Sequence, residues 1–297
     1  MDGNAAATRA AEEGARAVMI SDIHEGRLDK AVAGLREATG LEAVYGKLAN
    51  VTVEADVQAL VDAAEQKMDG VDILINNAGL GGTRLLVEMP DDEWSRVLDI
   101  TLTGTMRMTR AMLRKMQPRG AGVIVNNASV LGWRAQKEQC HYAAAKAGVM
   151  ALTRCAALEA ADFGVRINAV SPSIAFHEFL KKTTPMELLE ELAAKEAFGR
   201  AAEVWEVANV MMFLASDYSQ AILADAATMV DVSQYAKEGP YRIAVSQQDP
   251  SNGWGNTYNV TIFAYGQELL DEGILAEPLL TSVTNDANQQ ISDIENF

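Results

Sequence analysis

Short apolar runs alternate with longer stretches of helical composition as far as residue 170. The apolar residues of each run are largely continuous rather than alternating, as in parallel strands that helices cover on both faces. The runs lie at Ala17–Ile20, Ala43–Leu48, Val71–Ile75, Gly122–Asn126 and Val165–Val170. The helical stretches lie at Ala5–Glu13, Gly26–Ala38, Val53–Met68, Asp91–Met116 and Tyr142–Phe163. This order predicts βαβ units in an α/β fold with a doubly wound parallel sheet.

Composition and charge narrow the class of protein. With 297 residues, 49% hydrophobic and 22% charged, the chain is long enough for one large globular domain or two modest ones. Its net charge of −16 argues against nucleic-acid and anionic-membrane partners, which need clustered Lys and Arg. The sequence shows neither a membrane-spanning run nor a signal peptide, and Cys140 and Cys155 lack the spacing of a metal site. We therefore expect a cytoplasmic protein without a metal.

The candidate chemistry lies in a serine, a tyrosine and a lysine. Ser129 follows the run Gly122–Asn126, Tyr142 comes thirteen residues later, and Lys146 lies four residues beyond. Residues four apart on a helix share one face, and a cation about 4 Å from the phenol is worth ~4 kcal/mol at an effective dielectric near 20. This predicts a lowered pKa for Tyr142, which would exchange a proton with a carbonyl oxygen held by Ser129. The alternative is a surface tyrosine that happens to lie above a lysine.

Two further motifs follow predicted strands. Asn76-Asn77-Ala78-Gly79 follows Val71–Ile75, and Asn168-Ala-Val-Ser-Pro172 follows Gly164-Val-Arg-Ile. With the serine, tyrosine and lysine in register, these motifs make the stretch from about Ala5 to Gln220 resemble the short-chain dehydrogenases/reductases.

The resemblance implies an NAD(P)-dependent oxidoreductase that interconverts a secondary alcohol and a ketone by hydride transfer. In the family the tyrosine is the acid/base, the lysine lowers its pKa and contacts the nicotinamide ribose, and the serine positions the substrate oxygen. These roles pass to Tyr142, Lys146 and Ser129. Many family members also carry an asparagine that holds a relay water, and Thr101 occupies that position here, which puts the relay in doubt.

The resemblance breaks at the beginning of the chain. Family members open with a strand and a glycine-rich turn, TGxxxGxG, whose backbone N–H groups hold the cofactor pyrophosphate. Alignment places Gly3 at the last glycine of that motif and leaves the first strand without a counterpart. We therefore expect a Rossmann-type sheet that lacks its first strand, in a chain truncated at its N-terminus.

Several cofactor contacts carry over from the family. Asp22 ends the second family strand, where an acidic residue bonds the adenine ribose and repels a 2′-phosphate, so NAD is expected over NADP. The alternative for Asp22 is a solvated cap of the next helix. The resemblance implies that the other cofactor contacts are Asn50 and Val51 at adenine, Asn77, Ala78 and Gly79 beside the ribose and nicotinamide, and Pro172 in the turn that precedes Ser173.

The substrate is indicated only broadly. The segment after Pro172 is apolar, which suits a bulky lipid- or sterol-derived alcohol or ketone, although amphipathic-helix packing explains it equally well; His177 in this segment is interpreted as a solvated loop residue. The chain most resembles actinobacterial reductases of sterol-ring or acyl-CoA catabolism. The family also forms homo-oligomers through the helices Asp91–Met116 and Tyr142–Phe163, which implies a tetramer or a dimer.

The last quarter of the chain has a different resemblance. From residue 241 the sequence resembles the first strand and ligand loop of periplasmic sugar-binding proteins of ABC transporters, with a helix at Tyr258–Glu272 and a strand near Leu279–Val283. In an intact protein of that kind, Asn252, Trp254 and Asn256 would face a sugar. The predicted organisation is a dehydrogenase-like domain over 1–223, a junction over 224–240 and an incomplete binding-protein segment over 241–297.

Three hypotheses about function follow. The first is an NAD-dependent oxidoreductase acting on a small-molecule alcohol or ketone. The second is a sugar-binding module formed by the C-terminal segment, and the third is a non-functional fusion of two fragments. We adopt the first as the identity of the largest part of the chain.

Overall fold

The chain divides into two compact units, Met1–Gln234 and Tyr235–Phe297. The computed structural model describes residues 3–176, 180, 186–196, 198–219, 244–247 and 280–283. The predicted junction over 224–240 lies outside the described residues, as do His177, Asn252, Trp254, Asn256 and the predicted helix Tyr258–Glu272. None of the described helices combines the length and the apolar character that crossing a membrane requires.

In the first unit, helices and strands alternate as the sequence predicts. The strands are β1 (Val18–Asp22), β2 (Val44–Leu48), β3 (Ile73–Asn76), β4 (Gly122–Asn127) and β5 (Val165–Val170). The helices are α1 (Gly3–Glu12), α2 (Glu25–Thr39), α3 (Glu54–Met68), α4 (Asp91–Leu98), α5 (Gly104–Met116), α6 (Cys140–Ala161), α7 (Met186–Ala194) and α8 (Val204–Ala215). The pairings among these five described strands are parallel.

The described strands of this unit form two sheets. One has the order β1-β2 and the other the order β3-β4-β5. No described strand pairs with the second side of β1 or of β3, and the absence of the family's first strand stays a prediction. These edges are also less buried than the middle of the larger sheet: Ile73 is 44% exposed, whereas Ile124 and Val125 are fully buried.

Strand β4 shows why the fold needs helices on both faces. Successive side chains of a strand point to opposite faces. Ile124 packs into a core cluster with Met112 of α5 and Val61 of α3, and Val125 packs into a second cluster with Met211 of α8. Burying both faces explains the continuous apolar run that the sequence shows here.

A buried polar ladder crosses the larger sheet. Asn76 of β3 and Asn126 of β4 are register partners, and their side-chain amides form a 2.9 Å hydrogen bond. Asn76 also donates to Thr109 of α5 at 3.0 Å, and Asn126 donates to Thr153 of α6 at 2.9 Å. A buried amide without a partner would cost about 1–3 kcal/mol, so the ladder fixes the positions of α5 and α6 relative to the sheet.

The predicted long helix Asp91–Met116 is interrupted. A π-helical turn, Asp99–Thr103, separates α4 from α5. Such turns insert one extra residue into the helical hydrogen-bond pattern and are frequent at functional sites. Thr101 lies in this turn and is fully buried.

In the second unit the structure describes two short strands. β6 (Ala244–Gln247) pairs in parallel with β7 (Leu280–Val283). Both coincide with strands that the sequence predicts there. The assignment of this segment to the periplasmic binding proteins stays a prediction.

Candidate active site

The site lies where the parallel strands of the larger sheet end. β4 ends at Asn127, and Ser129 begins a short 3₁₀ turn in which its hydroxyl accepts the N–H of Leu131 at 3.3 Å. α6 begins at Cys140 and carries Tyr142 in its first turn. The Ser129 hydroxyl is near enough to the Tyr142 phenol to act on its pKa. The structure therefore brings together the serine and tyrosine that the sequence predicts to act on one substrate oxygen.

Lys146 is buried one turn further along α6. Its side chain is only 3% exposed and donates a hydrogen bond to the carbonyl oxygen of Asn127. Its Nζ lies 5.6 Å from the centroid of the Tyr142 ring. Removal of the ammonium from water lowers the pKa of Lys146 from 10.5 to about 8.

The predicted lowering of the Tyr142 pKa is wrong in this structure. Burial of the phenol raises its pKa, and the hydrogen bond with Ser129 opposes this rise only in part. A phenolate loses much of its hydration in this position, and Nζ of the lysine lies 5.6 Å from the ring centroid. The loss of hydration therefore raises the pKa of Tyr142 by more than the nearby lysine lowers it.

The hydroxyl of Thr101 is hydrogen-bonded to the backbone of Leu80. Its hydroxyl accepts the N–H of Leu80 at 3.0 Å and donates to the carbonyl oxygen of Leu80 at 3.2 Å. Since a hydroxyl has a single proton, the donor capacity of Thr101 is used by the backbone. Its predicted place in a proton relay stays a prediction, and the visible role is to hold the segment after Gly79.

The predicted nicotinamide side of the site contains a polar contact that the sequence did not indicate. Asn77 accepts a 2.8 Å hydrogen bond from the side-chain amide of Asn127. The Oδ1 atom of Asn127 is buried without a hydrogen-bond partner among the described residues. Asn127 thus links the Asn77 turn to Lys146. In the sequence, the one indication of this role is that Asn127 lies at the end of an apolar strand.

These residues fit a nicotinamide dinucleotide. A Cβ atom at Gly3 would lie 3.4 Å from Nδ2 of Asn77, and one at Gly79 would lie 3.7 Å from Nζ of Lys146. The glycines leave backbone close to both polar groups, and the unpartnered Oδ1 of Asn127 offers an acceptor in the same place. Gly3 also begins α1, where helix N–H groups favour an anion.

Asp22 lies at the end of β1, as predicted, but is already engaged. Its Oδ1 accepts the backbone N–H of His24 at 2.8 Å and a hydrogen bond from Arg27 at 2.7 Å. Burial raises the pKa of Asp22, but the two hydrogen bonds together outweigh it and hold the pKa below its usual value. The carboxylate is therefore ionised at neutral pH, with an arginine beside it.

The remaining predicted contacts lie in ordered turns. Asn50 Oδ1 accepts the backbone N–H of Thr52 at 3.0 Å, and the carbonyl oxygen of Val51 accepts a bond from Arg107 at 3.4 Å. The carbonyl oxygen of Pro172 accepts the N–H of Val130 at 3.0 Å, which ties this turn to the one that carries Ser129.

The turn after Pro172 does not need a glycine. Ser173 is not among the described non-glycine residues with a positive φ angle, and its hydroxyl donates to Glu196 at 2.6 Å. The backbone at Ser173 is therefore outside the left-handed region that favours glycine.

The chain is similar to known proteins over the first unit. The family model described as Enoyl-(Acyl carrier protein) reductase matches residues 3–231. The "(5R,7aS)-5-hydroxy-7a-methyl-1-oxo-2,3,5,6,7,7a-hexahydro-1H-indene-carboxyl-CoA reductase" of Mycobacterium tuberculosis is 62% identical over 219 residues, which cover 73% of this chain and 82% of that protein. The cis-4-hydroxycyclohexanecarboxylate dehydrogenase of Sinomonas cyclohexanicum is 42% identical, covering 72% and 85%. A crystal structure of a short chain dehydrogenase from Mycobacterium smegmatis superposes with a TM-score of 0.66 at 52% identity, covering 75% and 83%.

Proposed function

Because this chain belongs to the short-chain dehydrogenase/reductase family, whose members here act on alcohols and ketones, we propose that it interconverts a ring-bound secondary alcohol and its ketone with NAD. The observation that carries the proposal is that the Tyr142 ring lies 5.6 Å from Nζ of the buried Lys146, with Ser129 near the phenol. An exposed tyrosine above a lysine, the alternative interpretation of the motif, would have neither the serine partner nor the buried amine.

Ser129, Tyr142 and Lys146 each have a separate role in the proton transfer. Ser129 holds the substrate oxygen, and Tyr142 takes its proton when the alcohol is oxidised or returns it when the ketone is reduced. Its raised pKa keeps the phenol protonated at neutral pH, which suits the reductive direction. The nicotinamide, when bound, supplies or accepts the hydride. Lys146, largely protonated below pH 8, is placed to hold the ribose and to stabilise the phenolate.

The substrate class is a ring bearing a carboxyl-derived arm. The names of the two relatives have this in common: one is a reductase of a bicyclic carboxyl-CoA ester and the other is a dehydrogenase of a hydroxycyclohexane carboxylate. We extend this class to the present chain, in agreement with the bulky lipid- or sterol-derived substrate that the apolar segment after Pro172 suggests. A homo-oligomer and a cytoplasmic location remain predictions.

Turnover on cis-4-hydroxycyclohexanecarboxylate with NAD⁺ and on a bicyclic ring-ketone CoA ester with NADH tests the proposal. Changes in NADH absorbance that depend on either compound support it. Cofactor binding without turnover of either class of ring compound would contradict the substrate assignment. Failure of both NADH and NADPH to bind would contradict the enzyme assignment as a whole.

The proposed preference for NAD over NADP rests on Asp22. It predicts how replacing Asp22 changes the relative affinities for the two cofactors. Replacing Asp22 with serine removes the charge that repels a 2′-phosphate and leaves Arg27, which is 60% exposed, available to bind one. We expect the affinity ratio of NADPH to NADH to rise at least about tenfold, corresponding to ~1.4 kcal/mol. Fluorescence titration of both cofactors measures this ratio.

The matched control is Asp22→Ser combined with Arg27→Ala. It removes the proposed phosphate ligand, so the gain in NADPH affinity should largely disappear. A parent protein that already prefers NADPH, with a ratio unchanged by Asp22→Ser, would show that Asp22 only caps α2 and that the NAD assignment is wrong.

For the C-terminal segment, sugar binding is retained only as a second proposal. Its support is the sequence pattern from residue 241 together with the parallel pairing of β6 with β7. The match to the family model ends at residue 231, before this segment begins. Calorimetric titration of the full chain with common monosaccharides tests it, and heats no larger than those of dilution would contradict it.

A further inference from the structure

The segment of residues 79–82, here called the strap, lies against both reactive side chains of α6. A Cβ atom at Gly81 would lie 3.7 Å from Cδ2 of the Tyr142 ring, and one at Gly79 would lie 3.7 Å from Nζ of Lys146. The strap therefore runs beside the tyrosine and the lysine, about one side-chain carbon away from each. The contact at Gly81 is with the ring carbons Cδ2 and Cε2 of Tyr142.

One end of the strap is fastened by Thr101. The hydroxyl of this fully buried residue bonds both the N–H and the carbonyl oxygen of Leu80, at 3.0 and 3.2 Å. The Thr101 hydroxyl thus satisfies both the backbone donor and the backbone acceptor of Leu80. Because Thr101 lies in the π-helical turn between α4 and α5, that turn positions the strap.

The other end is fastened by groups at the start of α6. The side-chain amide of Gln139 donates to the carbonyl oxygen of Gly82 at 2.9 Å. A Cβ atom at Gly82 would lie only 3.1 Å from Nε2 of His141, so the strap packs closely on the imidazole. His141 precedes the reactive tyrosine and is fully buried.

The charged group beside His141 is Glu93, which forms no hydrogen bond with it. Glu93 of α4 approaches Nε2 of His141 with Oε1 at 3.5 Å, and its Oε2 pairs with Arg84 at 3.1 Å. Both ring nitrogens of His141 lack a hydrogen-bond partner among the described residues. A buried polar ring without a hydrogen bond costs free energy, which argues that its position serves more than packing.

We propose that Thr101 and His141 are positioning residues that hold the strap against Tyr142, excluding water from the phenol and aiming it at Ser129. The inference rests on the proposed function, in which Tyr142 exchanges a proton with the substrate. It assigns to Thr101 a role different from the proton relay that the sequence suggested.

The test is a direct titration of the Tyr142 phenol, which needs no substrate. Tyrosine carrying a ¹³C label at the ring carbon next to oxygen is followed by NMR against pH in the full chain, with Tyr142→Phe identifying the signal. The variants are Thr101→Val, which is isosteric but lacks the hydroxyl, and His141→Asn. Burial raises the pKa of Tyr142 in the parent, so loosening the strap should lower the pKa toward the ordinary value of about 10.

Three further variants make the test specific. Thr101→Ser restores the hydroxyl and should restore the parent titration. Thr105→Val removes a buried hydroxyl in the same helix that bonds only the carbonyl oxygen of Thr101, so it should leave the titration unchanged. In Gly82→Ala, the added methyl group pushes the strap away from His141, which itself is unchanged. This variant is used in place of His141→Asn if the His141→Asn protein does not fold.

A double variant tests whether the two fastenings act through one element. Thr101→Val combined with Gly82→Ala should lower the Tyr142 pKa by less than the sum of the two single changes, because one released end already admits water.

Two results would overturn the inference. One is a folded Thr101→Val protein whose Tyr142 titrates as in the parent while turnover falls, which would favour the relay. The other is an equal change in Thr105→Val, which would show a general loosening of the helix. Both results differ from a failure of the proposed function, since the titration is independent of turnover.

Discussion

Replacing Tyr142 with phenylalanine is expected to reduce turnover by ~10²–10⁴-fold, the usual contribution of a positioned acid or base. The substitution removes only the hydroxyl that meets Ser129, while the ring keeps its contacts with the strap and with Lys146. The affinity for NADH and the thermal midpoint should therefore stay close to those of the parent. Initial rates on the ring alcohol or ketone, together with NADH titration, measure both effects.

Tyr45→Phe is the matched control. Tyr45 lies on β2, with Nζ of Lys67 5.7 Å from the centroid of its ring, and it is distant in the sequence from Ser129, Tyr142 and Lys146. The same chemical change there should leave turnover unaffected. If Tyr142→Phe retained parental turnover with ring substrates, a different group would have to supply the proton and the proposed mechanism would be wrong.

Most of the first unit could be predicted from the sequence, because burial leaves a regular pattern. The apolar run at Val165–Val170 coincides with β5, and the other predicted strands differ from the observed ones by one or two residues. The order of Ser129, Tyr142 and Lys146 relative to these elements was enough to predict that they meet. A parallel sheet brings the carboxyl ends of its strands to one edge, so their positions along the chain determine the site.

The remaining features depend on contacts that no local pattern encodes. The composition from Asp91 to Met116 is helical throughout, yet the backbone adds a π-helical turn where Thr101 bonds to Leu80. Asn127 and His141 were identified only in space, since their partners lie about 50 residues away in the sequence. The pKa of Tyr142 was predicted in the wrong direction because spacing indicates a nearby cation but not the loss of water.

Because Lys146 is buried, the free energy of unfolding should depend on pH. Replacing Lys146 with an uncharged residue should abolish this dependence. The pKa of this lysine is about 8 in the folded protein, against 10.5 as its ordinary value. Between these two values the unfolded chain binds more protons than the folded one, so the free energy of unfolding rises with pH. Below pH 8 both states are protonated and the full penalty for burying the ammonium remains, as much as ~3 kcal/mol.

Lys146→Met is therefore expected to have opposite effects on activity and stability. Turnover should fall by ~10²-fold or more, because the cation that stabilises the phenolate is lost. At neutral pH the free energy of unfolding should rise by ~1–2 kcal/mol, less than the full penalty because the carbonyl oxygen of Asn127 loses its donor. Urea unfolding from about pH 7 to about pH 10 measures this, and the gap between parent and variant should narrow as the pH rises.

The exposed Lys30 of α2 provides the control, since Lys30→Met removes the same charge from a solvated position. Its unfolding curve should stay parallel to that of the parent at every pH. A Lys146→Met protein that is less stable than the parent at neutral pH would mean that the bond to Asn127 stabilises the fold by more than burial of the ammonium costs. The expected outcome instead gives Lys146 a purely functional reason to be charged, because the fold would be more stable without it.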